Sequence, residues 1–282
     1  MIMTSKQLKD KVRNISKSDN NIAQAMIRTF IMERYLERVS ISEYRDNFIL
    51  KGGMLVASLI GIDLRSTMDI DTTVRALPLN EKDAREIIQK IMDISIDDGV
   101  SFHITSCKEI MPNFDYPGIR LMIDARIDKL RQTIKLDIST DDVITPKAIE
   151  YEYKLMFEDR TISVMTYNLE TLLAEKLQTV LSRDIANTRM RDFYDIYFLS
   201  KENQEELQEG TLLHRAFLAT CKKRATIFTK EKAMQICERI LHDKAMEVRW
   251  ESFRLDNYFV GEIEWTVVMQ RVSEVMEWFP EQ

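Results

Sequence analysis

The feature that most constrains this fold is a change of hydrophobic period near Asn168. Before it the pattern alternates. In GIRLMIDARI (118–127) Ile119, Leu121, Ile123, Ala125 and Ile127 share one face, and in RQTIKLDIS (131–139) Ile134, Leu136 and Ile138 do the same. After Asn168 the apolar residues recur at helical spacing as far as Phe279, with loops expected near Gly210 and Gly261. One kind of layer cannot bury both patterns, so the expectation is an α+β chain: a mixed domain with N-terminal helices over 1–165 and a helical domain over 166–282. No linker composition separates the two, and a site at their junction is the natural expectation.

Within the first part, residues 5–39 read as two helices, with Ile22, Ala25, Met26, Phe30, Met32 and Leu36 roughly at helical spacing in the second. Residues 53–60 read as a short helix stopped by Gly61. A strand is predicted from Asp69 to Val74, ended by Pro78 and Asn80, and Asn80 caps a helix to about Ile94. Strands follow at 100–106, 118–127 and 131–139, the last two as an antiparallel hairpin, with shorter ones at 151–157 and 161–166. No internal repeat is found.

The bulk numbers exclude several classes. The chain has 282 residues, 45% hydrophobic and 30% charged, enough to bury a core. A formal net charge of −6 argues against a protein built mainly to coat nucleic acid. The local basic groups Arg183, Arg189 and Arg191, and Lys222, Lys223 and Arg224, read first as solvated helix surface. Cys107, Cys221 and Cys237 have no metal-type spacing and suggest free thiols in a reducing compartment. The N-terminal segment is polar, and no run approaches the roughly 18 apolar residues of a membrane span, so the expectation is a soluble, cytoplasmic protein without a membrane partner.

Chemistry concentrates at Asp69-Ile70-Asp71. On a strand the two carboxylates project to one side and Ile70 to the other. Carboxylates that close repel unless a cation neutralises them, and Mg²⁺, which favours a few carboxylates plus substrate phosphates, suits the position. An isolated D-x-D is more simply two surface aspartates. Here it follows Lys51-Gly52-Gly53 at the start of a helix, where glycine amides and the helix dipole can cradle a triphosphate. Asp137, on the polar face of IKLDIS with Lys135, supplies a third carboxylate if its strand lies beside the first. Asp124 on the neighbouring strand is a competing candidate.

Two helical segments carry further charge. In NLETLLAEKLQTVLSR, Lys176 falls on the apolar stripe of Leu169, Leu172, Leu173, Leu177 and Val180, so it either snorkels or has an anionic partner. In RMRDFYDIYFLS, Phe193, Ile196 and Tyr197 make one face and Phe198 and Leu199 cover much of the rest. Asp192 and Asp195 are therefore expected to be paired, in a structural network with Lys176 and nearby arginines or at a functional site.

Together KGGMLVASLIG–IDLRSTMDIDTTV, IKLDIS and LETLLAEKLQTVLSR…RMRDFYDIYFL resemble, in order and over roughly residues 50–200, the AbiEii/AbiGii toxin family of nucleotidyltransferases in the DNA polymerase β-like superfamily. The resemblance implies a polymerase β-like mixed sheet followed by a helical domain that contributes to the active-site cleft. It implies Gly52 and Gly53, with Lys51, as the nucleotide-phosphate loop, Arg65 and Thr67 as the polar lead-in, and Asp69, Asp71 and Asp137 as metal ligands. Lys176 and Asp192 become the essential pair, with Asp195 in support. The superfamily often has Gly-Ser where this chain has Gly53-Met54, which leaves nucleotide choice open.

The implied reaction is Mg²⁺-assisted transfer of NMP from an NTP to an acceptor hydroxyl. RNA such as the tRNA 3′ end is the implied acceptor, with a protein acceptor left open, and a cognate antitoxin is the implied partner in a toxin–antitoxin or phage abortive-infection system. Two alternatives use the same residues differently. A metal-dependent nuclease needs neither Gly52-Gly53 nor Lys176, and a non-catalytic interaction module would retain the fold without needing the acidic residues.

Overall fold

The computed structural model describes residues 3–17, 19–61, 65–77, 80–110, 118–209 and 211–280. Two compact units emerge: Met1–Asp142 with Ile149–Thr166, and Val143–Ala148 with Tyr167–Gln282.

The first unit begins with α1 (Ser5–Ser16) and α2 (Asn20–Ser40). Thr4 and Gln7 form a reciprocal capping box on α1, and the Asp19 carboxylate accepts from Asn21 and Ile22 at the start of α2. Then come β1 (Phe48–Lys51), α3 (Gly52–Ile60), β2 (Asp69–Val74), α4 (Glu81–Met92), β3 (Ser101–Ile110), β4 (Gly118–Ile127), β5 (Leu130–Thr140), β6 (Ile149–Lys154) and β7 (Thr161–Thr166). The seven strands make one mixed sheet in the order β3-β4-β5-β2-β1-β7-β6. The β2–β5 and β1–β7 pairs are parallel and the others antiparallel.

Alternation sets the core. Ile119, Leu121, Ile123, Ala125 and Ile127 of β4, Ile134, Leu136 and Ile138 of β5, and Ile70 and Thr72 of β2 are buried. Residues between them turn to the opposite face. α2 is buried around most of its circumference and carries charge inward: Arg34 pairs with Glu37 and Glu158, and Arg38 donates to both oxygens of Asp98. Glu33 accepts the Met156 amide hydrogen at 2.9 Å, and burial pushes its carboxyl up to about 8.

The second unit is helical: α5 (Leu169–Arg183), a 3₁₀ turn (Asp184–Ala186), α6 (Met190–Glu202), α7 (Gln204–Gln208), α8 (Thr211–Lys223), α9 (Lys230–His242), α10 (Lys244–Asp256) and α11 (Trp265–Glu277). Phe193 and Tyr194 of α6 pack edge-on or tilted against Trp265, Phe198 and Phe259, and Trp250 stacks near Trp265. The irregular segment Val143–Ala148 is tied in by Asn168. Its amide donates to the carbonyls of Thr145 and Lys147 while its side-chain oxygen accepts from Thr171 N–H as the α5 cap.

The expected elements are present, with differences. The β1 strand, four residues long, is missing from the sequence reading. β3 runs on to Ile110, and β6 begins and ends earlier than 151–157, where Phe157 takes a positive φ. Pro78 and Gly210, read as a strand end and a loop, lie outside the described residues. Cys107, Cys221 and Cys237 are free and buried. Among the described residues no helix is long and apolar enough to cross a membrane.

Candidate active site

Register across the sheet assembles the first cluster. Arg120 of β4 stands opposite Asp137 of β5, Asp137 beside Asp71 of β2, and Asp71 opposite Lys51 of β1. The row reads cation, anion, anion, cation. One step away, Lys135 lies beside Asp69. With Ile70, Leu136 and Ile138 buried, all these charged residues fall on the other face of the sheet.

The carboxylates are not held alike. Arg120 donates from Nε and Nη2 to the two oxygens of Asp137, each at 2.8 Å. Lys135 Nζ lies 2.6 Å from Asp69 and 4.0 Å from Asp137. Burial raises the Asp71 carboxyl above the usual range, against the Lys51 charge, and the Asp137 and Asp69 charges push the same way as burial. The Gly53 N–H donates to Asp71 and partly offsets this. Lys51 pairs with Asp142, which also accepts from Ser139 at 2.7 Å. Asp142 lines a cavity of about 470 Å³ with Val74, Arg75, Ala76, Leu77, Thr140 and Asp141, at the carboxyl ends of β2 and β5.

The two glycines are required by this packing. Gly52 has φ +64°, and a Cβ there would lie 2.2 Å from Asp71 Oδ2. A Cβ on Gly53 would lie 2.5 Å from Thr67 Oγ1 and 3.0 Å from Arg65 Nη2. The α3 N-terminus is thus pressed against the D-x-D strand, and Gly53 N–H already serves a carboxylate. Arg65 and Thr67 are buried under the loop. Thr67 Oγ1 donates to the Asp69 carbonyl at 3.2 Å. Asp124 lies apart, accepting from Arg131 and Thr133.

In kind, three carboxylates with Asp71 costly to ionise suit a hard divalent cation. In arrangement, Asp137 is turned to Arg120 and Asp69 to Lys135. Among the described residues no group of three or more His, Cys, Asp or Glu is placed to hold a metal ion as it stands.

The second cluster belongs to the helical unit. Lys176 of α5, 8% exposed, lies 3.1 Å from Asp192 and 2.6 Å from Asp195 of α6, and Arg189 adds a contact to Asp192 at 2.9 Å. Asp195 is fully buried, so the lysine on the apolar stripe has the anionic partners its position demands. Arg224 of the second basic group reaches Glu175, Gln178 and Thr179 on α5.

Residues 34–271 match the family described as nucleotidyl transferase AbiEii toxin of type IV toxin–antitoxin systems. The chain belongs to the AbiEii family. No curated protein matches it. Among solved structures it is similar to an H. pylori protein named as a candidate nucleotidyltransferase, at 14% identity and a TM-score of 0.54, covering 90% of this chain and 93% of that one. A second similar structure, JHP933 from Helicobacter pylori, is 16% identical with a TM-score of 0.49 over 90% of each chain. The first likeness establishes the mixed nucleotidyltransferase fold.

In this AbiEii chain the sequence reading passed over Arg120 and Asp142. Arg120 had a signal: in GIRLMIDARI it alternates with the buried isoleucines, and so shares the polar face with Asp124 and, across the hairpin, with Asp137. Asp142 had none, since it follows a turn with Asp141 at φ +59°.

Proposed function

We propose that this AbiEii-family toxin transfers a nucleoside monophosphate from an NTP to an acceptor hydroxyl, with RNA such as the tRNA 3′ end as the acceptor and a cognate antitoxin restraining it. The observation that supports this best is the in-register placement of Asp71 beside Asp137, with Asp69 on the same face and the α3 N-terminus packed on Asp71.

Asp69, Asp71 and Asp137 are the residues that would hold Mg²⁺, which supplies charge neutralisation at the phosphates and a more acidic acceptor hydroxyl. The remaining work falls to the chain. Amides at the start of α3 and the Lys51 ammonium orient the triphosphate. The acceptor oxygen bonds to the α-phosphorus, the bond from that phosphorus to the bridging oxygen breaks, and pyrophosphate leaves. The proton of the hydroxyl passes to a carboxylate, for which Asp137 is the candidate. Lys176, Asp192 and Asp195 enter on the resemblance of their motif.

The test is incubation with each labelled NTP, Mg²⁺ and total tRNA, beside Asp71→Ala. Label in RNA from one NTP with the wild type and not with the variant is expected. Label in protein instead would move the acceptor. No incorporation from any NTP, with unimpaired growth on overexpression, would remove the reading.

A further inference from the structure

Arg120 and Lys135 are long, flexible cations set against the carboxylates that the proposed reaction assigns to a metal. We propose that both are substrate-phosphate ligands in waiting: each neutralises a carboxylate of the acidic face until that carboxylate becomes a metal ligand, and each then passes to the triphosphate of the NTP. The inference rests on the transferase reading above.

Three observations carry it. First, the pairing is specific: Arg120 grips both oxygens of Asp137, and Lys135 reaches Asp69 at 2.6 Å and Asp137 at 4.0 Å. Both oxygens of Asp137 accept from one guanidinium, which takes one lone pair on each, so the contact competes with a metal or an acceptor proton for that carboxylate. Second, the Arg120 side chain is 42% exposed and that of Lys135 26%, against 10% for Lys176 in the other cluster. Water screens pairs this open, so they add less to folding than an equally close pair in the interior. Third, the register puts the Arg120 Cα beside Asp137 and the Lys135 Cα beside Asp69, on the sheet face to which a phosphate bound at those carboxylates would present its oxygens. A guanidinium released there has a planar fork suited to two phosphate oxygens.

The exchange predicts opposite signs for two affinities, which a structural ion pair does not. Arg120→Gln and Lys135→Met remove a competitor from the carboxylates and a ligand from the triphosphate. Each variant is expected to bind Mn²⁺ about tenfold more tightly by calorimetry. Each is expected to bind inorganic triphosphate, at saturating Mn²⁺, about tenfold more weakly. Arg120→Lys should lie between Arg120→Gln and the wild type on both measures. Circular dichroism and melting of each variant establish that it is folded. Mn²⁺ affinity that is unchanged or weaker in folded Arg120→Gln and Lys135→Met overturns the inference and leaves the transferase site intact. So does triphosphate affinity that is unchanged. A wild type that binds no Mn²⁺, or binds it equally well with Asp71→Asn, overturns the metal site of the transferase reading and the inference with it.

Discussion

Gly52 is the residue where backbone and chemistry are hardest to separate. Its φ of +64° and the 2.2 Å approach of a Cβ to the Asp71 carboxylate leave no room for a side chain. Gly52→Ala is expected to cost roughly 1–3 kcal/mol of stability by urea denaturation. It should also displace Asp71 and abolish transfer in whatever fraction remains folded. Unchanged melting and activity would show that the loop relaxes freely. Lys176 poses the complementary case. Removing its charge takes the ammonium from buried Asp195 and leaves Asp192 to Arg189, so Lys176→Met should lose about 3–5 kcal/mol. The triple change Lys176→Met, Asp192→Asn, Asp195→Asn should recover much of that. If the recovered protein still transfers nucleotide, the cluster is structural; if it is folded and inert, the motif has a part in the reaction. The sequence made Lys176 legible, because a lysine on an apolar stripe demands an anion, and buried aspartates on the next helix were within view.

At the scale of elements, the caps and alternations were readable and the pairings were not. Asp69–Val74 and Gly118–Ile127 emerge with the predicted bounds because period-two patterns are local. What placed Asp137 at the site, however, is the parallel β2–β5 pairing, whose partners are separated in sequence by α4 and two strands. Nothing in either strand's own pattern specifies that neighbour. β1 escaped because four residues are too few to show a period, although its register brings Lys51 opposite Asp71. Asn168 shows how much one cap can do. It closes the first turn of α5 and holds the carbonyls of Thr145 and Lys147. Asn168→Ala is expected to cost about 2 kcal/mol in chemical denaturation, more than an ordinary cap. A loss no larger than that of Asn80→Ala, where Asn80 caps α4 through Asp83 by accepting its N–H and donating to its carboxylate, would refute the double role.

For the whole molecule, buried charge makes stability depend on pH in an unusual direction. The Glu33 carboxyl, 2% exposed, is raised from 4.5 to about 8 mainly by burial. Between those values the folded chain holds a proton that the unfolded chain releases. Its favourable contribution is therefore complete below about pH 4.5 and is lost as pH rises towards 8, to the extent of a few kcal/mol. The melting temperature of the wild type should fall relative to Glu33→Gln across that interval, and parallel curves would contradict the assignment. Connectivity carries a further consequence. Because Val143–Ala148 is assigned with the helices and Ile149–Thr166 with the sheet, the chain changes allegiance three times rather than once. A single recombination breakpoint at Tyr167 would hand a new partner the helices stripped of the segment that Asn168 holds. Exchanging the helical unit between relatives thus takes coordinated breakpoints, so the two units are expected to be inherited together.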